Sequence, residues 1–432
     1  MVFVRHALPG ERVLAAVTQV TAKLARADAI EILAASPDRV QPPCPHARPG
    51  GCGGCDWQHA SLPAQRQLKA AVIRQQLARI AGLDREVVVE PLAGDEPGAT
   101  APGLGWRTRV TFAVGPNGRA GLHKHRSHEV VPVGECPIAH DEVNAAGVTA
   151  QSWPDAASVQ VAVVPDTSER GVLVTAARRR QSRPGRSRQG GSRSGAARSG
   201  GAQPGGAQPG GARAPLPVAA DSAAAVSPQG ARTSLAGTGY LTQHAAGRAW
   251  RVDLAGFWQV HPAAADTLAA AVLQALAPQP GDVALDLYCG AGLFAGVLAP
   301  VVGPEGQVIA VESDAGAVRD ARHNLREWPW ARVHRGDAGE VLGRMGLSGA
   351  SLVVLDPPRS GAAPAVIEAL TGTDPDDGAS ALRRIAYVSC DPATLARDLG
   401  LLIVGGWTLD ALRAFDAFPM THHVECLATL IR

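Results

Sequence analysis

The sequence contains few lysines, few aromatic residues and no long apolar run. Only three of its 41 basic residues are lysines, a bias typical of a GC-rich bacterial genome, and aromatic residues make up 4% of the 432 residues. No apolar run approaches the ~20 residues of a membrane-spanning helix, and the amino terminus lacks the apolar stretch of a secretory signal. These absences argue against the classes of integral membrane and exported proteins and predict a cytoplasmic protein without a membrane partner.

Cysteine is scarce as well. Seven cysteines in a chain of this length are too few for a disulfide scaffold, and clustered cysteines in a reducing compartment are typically ligands or nucleophiles. The length predicts two to four domains of roughly 100–200 residues each. We expect the folded chain to be a monomer.

The formal charge of +2 hides an uneven distribution. Nine arginines and no acidic residue lie between Arg178 and Arg213, and +9 taken from +2 leaves −7 on the rest of the chain. Overall charge therefore does not attract a polyanion to the folded part. Any contact with nucleic acid must come from local basic patches.

Composition divides the chain into four segments. Residues 178–234 are rich in glycine, serine, proline and arginine and show no apolar periodicity. This predicts a disordered insert, either a solvated linker or an arginine-rich RNA tether, because the segment has too little apolar surface to offset the entropy of ordering. Residues 1–36 predict three short strands, too few for a closed barrel, and residues 37–177 predict an α+β domain with a helix over 62–80.

Residues 235–432 alternate short apolar strands with helical segments. This alternation is typical of a doubly wound α/β sheet, whose ligands bind beyond the carboxyl ends of the strands. The chemistry of the protein is therefore expected at that edge.

A nucleoside-binding pattern follows the first three strands of this predicted sheet. The first strand turns through Tyr288 and a glycine pair at 290–292, where glycine lets the backbone approach a ligand. Glu312 ends the second strand, where a carboxylate can accept hydrogen bonds from ribose hydroxyls, and Asp337 follows the third, where it can meet an adenine amino group. Without a third glycine or a phosphate cradle, the pattern favours S-adenosylmethionine and a methyltransferase over a nicotinamide enzyme.

Residues suited to catalysis end the fourth and fifth strands and precede the last. Two prolines make a stiff loop that holds Asp356 towards cofactor and target. Cys390 faces a helix amino terminus that favours its thiolate, so it is a candidate nucleophile, or else a buried and inert cysteine. Glu425 is a candidate base or an ordinary surface carboxylate. We expect the adjacent His422 and His423 to point to opposite faces of a strand and not to share a metal ion.

A second group of cysteines precedes the insert. Cys52 and Cys55 are separated by two residues, which lets both thiolates reach one metal centre. With Cys44 and Cys136 they predict a four-cysteine metal site, for which zinc and a 4Fe–4S cluster fit the spacing equally.

A basic stretch interleaved with aromatic residues predicts phosphate contacts and stacking surfaces for RNA, or alternatively solvated strand faces. Its members are Trp106, Arg107, Arg109, Phe112, Arg119, His123, Lys124 and Arg126.

The motifs DLYCGAG, LDPPRSG, YVSCDPATLARDL and FPMTHHVECLATL resemble those of the RNA 5-methyluridine methyltransferases, and with the cysteines the resemblance covers nearly all of the chain outside the insert. It implies a class I, Rossmann-like methyltransferase domain over 235–432, a smaller α+β iron–sulfur domain over 37–177, and a truncated β-barrel remnant of the TRAM type over 1–36. It also implies a 4Fe–4S cluster on the four cysteines. Leu293 departs from close members of the family, which often carry asparagine there. The matching cofactor-binding positions are Gln259, Tyr288, Glu312, Asp337 and Asp356.

The resemblance further implies a mechanism and a substrate. The Cys390 thiolate adds to uracil C6, the activated C5 takes the methyl group, and Glu425 removes the C5 proton before Cys390 leaves. The target must be turned out of its stack, so a loop uridine is expected. The four-cysteine site favours 23S ribosomal RNA as the substrate. The alternatives are a tRNA 5-methyluridine methyltransferase and a noncatalytic RNA-binding or folding factor on the same scaffold.

Overall fold

The structure is a computed structural model that describes residues 1–96, 98–177, 218–347, 349–372 and 382–432. It begins with an open sheet of three strands, β1 (Val2–Arg5), β2 (Arg12–Val20) and β3 (Ala25–Ala34). Strand β3 lies in the centre, parallel to β1 and antiparallel to β2. The three strands predicted in residues 1–36 are confirmed.

The next segment comprises α1 (Leu62–Gln76), a π-helical turn (Leu77–Ala81) and β4 (Val89–Glu90). Ile73 and Leu77 are buried in the apolar core of the carboxyl-terminal domain, and β4 pairs with an edge strand of that domain's sheet. The predicted domain over 37–177 is therefore wrong for this segment. An amphipathic helix packs on the apolar face that complements its own, regardless of its neighbours in sequence.

A seven-stranded sheet follows this segment along the chain. Its strands are β5 (Arg109–Val114), β6 (Ala120–His123), β7 (Val130–Pro132), β8 (Ala156–Val164), β9 (Glu169–Ala176), β10 (Ser222–Val226) and β11 (Arg232–Ala236), in the spatial order β11-β10-β9-β8-β5-β6-β7. A short helix, α2 (Asp141–Ala145), packs against β8. Valines of β8 and β9 form the centre of this sheet's core.

Strands β10 and β11 fall within the segment predicted to be disordered. That prediction is wrong from residue 218 onwards, because β10 pairs in parallel with β9, and Ala223 and Ala224 are fully buried. An alanine-rich segment has little apolar side-chain surface and therefore resembles a disordered segment in composition. The small side chains of alanine nevertheless pack closely in a buried strand. Residues 178–217 of the predicted insert lie outside the described residues.

The carboxyl-terminal part opens with a hairpin and continues as alternating helices and strands. Its elements are β12 (Tyr240–Ala245), β13 (Arg248–Asp253), α3 (Ala264–Leu276), β14 (Val283–Leu287), α4 (Leu293–Val302), β15 (Gln307–Glu312), α5 (Ala315–Asn324), β16 (Ala331–Arg335), α6 (Ala338–Met345), β17 (Leu352–Leu355), α7 (Pro364–Thr371), β18 (Arg384–Ser389), α8 (Pro392–Val404), β19 (Thr408–Phe415) and β20 (Glu425–Ile431).

Strands β14 to β20 and β4 form one eight-stranded sheet in the order β16-β15-β14-β17-β18-β20-β19-β4, and β12 and β13 pair as a separate two-stranded sheet. Strands β14 to β18 run parallel, and β20 lies antiparallel between β18 and β19. The predicted doubly wound α/β sheet is confirmed. The strand order reverses between β14 and β17, and α/β sheets of this kind bind ligands at such a point, beyond the carboxyl ends of the strands.

Apolar clusters fill both faces of this sheet. Ala284 packs on one face and Leu285 on the other, as expected for a strand with both faces covered. Within the described ranges, none of the helices has the length and apolar character needed to cross a lipid bilayer.

Candidate active site

Strand register brings the two candidate catalytic residues together. Strands β18 and β20 pair antiparallel with Ser389 opposite Cys426. Cys390 directly follows Ser389, and Glu425 directly precedes Cys426, so the two residues extend the same ladder side by side. Asp356 follows the neighbouring strand β17 and acts electrostatically on both.

The environment of Cys390 disfavours its thiolate. Burial, together with the negative charges of Glu425 and Asp356, raises the pKa of the thiol to about 11, and Arg359 opposes this through its charge and a hydrogen bond. The expected activation by the following helix is wrong for this state of the protein. The carboxylate of Asp391 occupies that helix terminus by accepting hydrogen bonds from two backbone amides of α8, at 3.0 and 2.9 Å.

Three acidic side chains gather at this edge with little compensating positive charge. Burial and the charge of Asp356 raise the pKa of Glu425 well above its usual value, and burial raises that of Asp356 to about 7. The pKa of Asp286 is also raised to about 7, by burial and then by its acidic neighbours. Buried oxygens of Asp286 (Oδ1) and Glu425 (Oε1) lack a hydrogen-bond partner in the described structure. A positively charged ligand would be stabilised here.

Asp286 was not among the predicted site residues. Its signal in the sequence is an acid inside an otherwise apolar strand, immediately before the glycine turn. The carboxylate accepts a hydrogen bond from the backbone amide of Ala295 at 2.7 Å, which links strand β14 to the first turn of α4.

Three of the predicted cofactor residues lie at the same edge, held by backbone amides. Glu312 accepts hydrogen bonds from Gly290 at 3.0 Å and from Asp314 at 2.7 Å. Asp337 caps α6 through Oδ1. Tyr288 adopts a left-handed backbone conformation, and its hydroxyl accepts from a backbone amide after β17 at 3.1 Å. With Asp356, these side chains follow four adjacent strands.

Gln259, the fifth predicted cofactor residue, lies between β13 and α3. It is buried and lines a small cavity with Thr108, His244 and His261. Within the described ranges it forms no hydrogen bond to the other four residues. Leu293, where the sequence differs from the family that it resembles, is buried and begins α4.

The two adjacent histidines are not on a strand, contrary to expectation. They precede β20 in a loop, and their ring centroids lie 4.1 Å apart. His422 pairs with Asp56 through Nδ1 at 2.5 Å, whereas Nε2 of His423 lies 3.3 Å from the Arg359 guanidinium.

Helix α1 holds the loop that leads to Glu425. Lys69 is fully buried in α1 and pairs with Asp416 at 2.5 Å. One helical turn earlier, the Gln65 side chain accepts a hydrogen bond from the backbone amide of Met420 at 2.8 Å. Lys69 was not among the predicted site residues, although a lysine on the buried side of a helix requires a charged or hydrogen-bonding partner.

The four cysteines of the second group converge. Cys44, Cys52, Cys55 and Cys136 line one small cavity of about 20 Å³. Burial raises the pKa of Cys55 to about 12. As far as the structure describes the chain, no three His, Cys, Asp or Glu side chains are close enough to hold one metal ion.

Close packing fixes the cysteine loop. A Cβ atom on Gly53 would lie 2.5 Å from the backbone nitrogen of His125, so only glycine fits between Cys52 and the turn after β6. The side chain of Asn144 brackets the backbone of Cys136 with hydrogen bonds of 3.0 and 3.1 Å.

Part of the predicted RNA-contacting stretch is structural. Trp106 and Phe112 are buried, and Arg109 donates hydrogen bonds to the carbonyls of Leu254 and Gly256. Arg107 lines the cysteine cavity. The expected stacking role of the two aromatic residues is therefore wrong, because both rings are needed in the core.

Lys124 and Arg126 of the predicted stretch border an open groove of about 780 Å³ between the first sheet and the turn after β6, whereas Arg119 and His123 do not line it. We call it the basic groove, and its basic side chains are Arg5, Arg26, Lys124, His125 and Arg126.

Comparison with known families gives two matches. The family described as tRNA (Uracil-5-)-methyltransferase matches residues 346–432. The family described as protein-L-isoaspartate(D-aspartate) O-methyltransferase matches residues 255–348. The two matches together span most of the doubly wound sheet.

Relatives of the whole chain carry names of RNA methyltransferases. An uncharacterized RNA methyltransferase of Streptomyces avermitilis is 47% identical, covering 100% of this chain and 92% of the relative. One from Streptomyces coelicolor is 45% identical, covering 100% and 87%. One from Bifidobacterium longum is 31% identical, covering 100% and 92%.

Among solved structures, the chain resembles the Pyrococcus abyssi tRNA (uracil-54, C5)-methyltransferase in complex with S-adenosyl-L-homocysteine. The TM-score is 0.68 and the identity 21%, covering 99% of this chain and 95% of that chain. The shared architecture is the class I α/β fold of methyltransferases that use S-adenosylmethionine.

Proposed function

The chain belongs to the RNA uracil-5-methyltransferase family of S-adenosylmethionine-dependent enzymes, and on that premise we propose that it forms 5-methyluridine with Cys390 as nucleophile and Glu425 as base. One observation carries the proposal. The antiparallel pairing of β18 with β20 sets these two side chains next to each other at the ligand edge of the sheet.

The chemistry requires both residues. Uracil C5 is too weak a nucleophile to accept a methyl group directly, so the Cys390 thiolate first forms a bond to C6 and makes C5 enolate-like. S-adenosylmethionine supplies a methyl group on a positively charged sulfur and leaves as S-adenosylhomocysteine. Glu425 then takes the proton from C5, the electron pair restores the C5–C6 double bond, and the Cys390–C6 bond breaks.

The acidic edge suits this cofactor. A bound sulfonium would favour the ionised forms of Asp286, Asp356 and Glu425, and two of them carry buried oxygens without a hydrogen-bond partner in the described structure. Glu312 would bind the ribose hydroxyls and Asp337 the adenine amino group. Tyr288 would pack beside the adenosyl moiety. The assignment of Gln259 to the cofactor rests on the resemblance alone.

We assign the basic groove to the RNA backbone. Its arginine and lysine side chains lie on the first sheet and on the turn beside the cysteine loop, and such side chains provide phosphate contacts that position a strand without reading its sequence. The target base is then turned out towards Cys390.

Ribosomal RNA of the 23S type is the substrate we favour, because four converging cysteines accompany the site. The second candidate is tRNA. It is favoured by the family description that matches residues 346–432 and by the substrate of the P. abyssi enzyme. Mapping 5-methyluridine in total RNA from a deletion strain distinguishes the two, since it is lost from one RNA class only.

The four cysteines suit a 4Fe–4S cluster. Their thiol groups border one cavity, and a cluster binds each thiolate to a different iron atom, so the sulfurs need not lie within reach of a single ion. Methyl transfer is redox-neutral, and the cluster would therefore hold the cysteine loop in place. Anaerobically purified protein should contain iron and sulfide in equal amounts, whereas stoichiometric zinc without sulfide would contradict this assignment.

Trapping with 5-fluorouridine RNA tests the proposed function. Fluorine at C5 leaves no proton to remove, so the wild-type enzyme with S-adenosylmethionine should stall as a covalent adduct that survives denaturing electrophoresis. Cys390→Ala should abolish the adduct. Cys426→Ala, which changes the buried cysteine directly after Glu425, should retain it. An adduct that persists without Cys390 would contradict the proposal.

A further inference from the structure

Arg359 occupies a position that the proposed mechanism does not use. It lies in the loop after β17, exposed at the mouth of the active site. Its backbone carbonyl accepts a hydrogen bond at 3.3 Å from Oγ1 of Thr394, in the first turn of the helix that follows Cys390, and its guanidinium lowers the pKa of the Cys390 thiol. Nη2 of the guanidinium lies 3.3 Å from Nε2 of His423. Arg359 therefore lies between the segment that follows Cys390 and a histidine of the loop before β20.

The charges that face Cys390 come from several elements. Glu425 on β20 and Asp356 after β17 oppose a thiolate, and Asp391 lies at the amino terminus of α8. Among the described groups that act most strongly on this sulfur, Arg359 is the positive one. Arg359 therefore favours the thiolate against these two carboxyl groups.

His423 has a defined role towards Arg359. Burial, followed by the charges of His422 and Arg359, lowers the pKa of His423 to about 4, and Asp56 and Lys69 are the other charged groups that face it. The imidazole is therefore neutral near pH 7. Since arginine has no acceptor atom, Nε2 of His423 must accept the hydrogen bond and Nδ1 must carry the proton.

The position of His423 is itself fixed. The Phe418 ring meets it edge-on with centroids 6.0 Å apart. The preceding residue, His422, is tied to Asp56 of the cysteine loop. A rigid acceptor that faces one edge of a guanidinium leaves the other edge directed at its second partner.

We propose that Arg359 is the group that stabilises the Cys390 thiolate, and that His423 is a positioning residue that orients Arg359 through Nε2. This inference rests on the proposed role of Cys390 as the nucleophile. It assigns a second catalytic side chain to the site and explains why an exposed arginine is held by a neutral histidine.

Alkylation of Cys390 by iodoacetamide tests this directly. The rate is followed against pH by peptide mass spectrometry on the full-length protein without cofactor or RNA, because the thiolate is the species that reacts. Arg359→Gln should lower the rate at pH 8 about tenfold and move the profile to higher pH by about one unit. Arg359→Lys keeps the charge and should lose less.

The histidine variants separate positioning from general structure. His423→Leu removes the acceptor and should lower the alkylation rate about threefold to tenfold. His423→Gln offers an amide oxygen in its place and should restore the rate to within about twofold of wild type. His323→Gln changes an exposed histidine on α5 and is the matched control, which should leave the profile unchanged.

Unchanged profiles for Arg359→Gln and His423→Leu would overturn the inference, as would a His423→Gln variant as slow as His423→Leu. The result is distinguishable from failure of the proposed function. If wild-type protein forms the 5-fluorouridine adduct while alkylation ignores Arg359, this inference fails alone. If no adduct forms while Arg359 still controls the thiol, the proposed function fails.

Discussion

Buried acidic residues at the sheet edge have too little positive charge nearby to keep the pKa values of their carboxyl groups low. Asp286 is fully buried, and its pKa is raised from 3.8 to about 7. The folded state therefore retains a proton that the unfolded state has lost between about pH 4 and 7, and this side chain lowers stability progressively as the pH rises through that window. The buried carboxyl group therefore lowers the stability of the cofactor-free protein and provides an environment that would bind a cation.

Asp286→Asn removes the cost of ionising a buried carboxyl group. Its amide oxygen can still accept a hydrogen bond from the backbone amide of Ala295. The cofactor-free variant should be more stable than wild type at pH 8, by on the order of 2–4 kcal/mol, and the gain should shrink at pH 5. Thermal or urea unfolding at the two pH values measures it. Asp282→Asn is a control of opposite sign, since Arg383 lowers the pKa of Asp282 and the wild-type carboxylate is stabilising. An unchanged or lower stability of Asp286→Asn at pH 8 would contradict the account.

Helix α1 packs against the carboxyl-terminal domain. Through Lys69 and Gln65 it holds residues 416–420, which lead to Glu425. Replacing Lys69 by methionine leaves Asp416 buried without its closest cation, which should cost about 3–5 kcal/mol. Amide exchange in residues 416–424 should also become faster. The matched control on the same helix is Arg74→Met, since the exposed pair of Arg74 with Glu86 contributes less than about 1 kcal/mol. Equal losses in the two variants would refute a special role for Lys69.

The cysteine loop is an element whose shape depends on one glycine. Gly53→Ala would force a Cβ atom against the backbone of His125, whereas a Cβ atom on Gly54 would make ordinary contact at 3.5 Å with the Cys52 sulfur. Gly53→Ala should therefore lower the bound iron per chain and the melting temperature. Gly54→Ala should change both far less. Similar iron content in both variants would show that the loop adapts and that the close packing is not required.

Some elements were predictable from sequence and others were not. The strands that carry Asp356 and Cys390 follow from apolar runs that end in reactive residues, and local pattern is sufficient for them. The pairing of Lys69 with Asp416 joins positions 347 residues apart, which no local pattern contains. Strand β10 was not predicted because alanine has a low propensity for β-strands. The tight contact at Gly53 depends on a turn some 70 residues away, known only after folding.

The first sheet, the cysteine loop and the turn after β6 border the basic groove, which we assign to the RNA backbone. Lys124→Ala with Arg126→Ala removes two charges from the basic groove. RNA binding should weaken, and the slope of log K against log salt should fall by about 1.4, or about 0.7 per phosphate contact for a single strand. Arg332→Ala with Arg335→Ala changes exposed charges on β16 and is the matched control. An equal change of slope in both pairs would mean that net charge, not the groove, governs binding.

We propose that Cys390 and Glu425 act in sequence on one uracil ring, and the Glu425→Gln variant separates the two steps. Incubated with S-adenosylmethionine and substrate RNA that contains ordinary uridine, this variant should transfer the methyl group but fail to remove the C5 proton. Mass spectrometry after nuclease and protease digestion should then find the Cys390 peptide linked to a uridine nucleotide that carries one added methyl group. Release of 5-methyluridine at the wild-type rate without such an adduct, or an adduct on another residue, would contradict the claim.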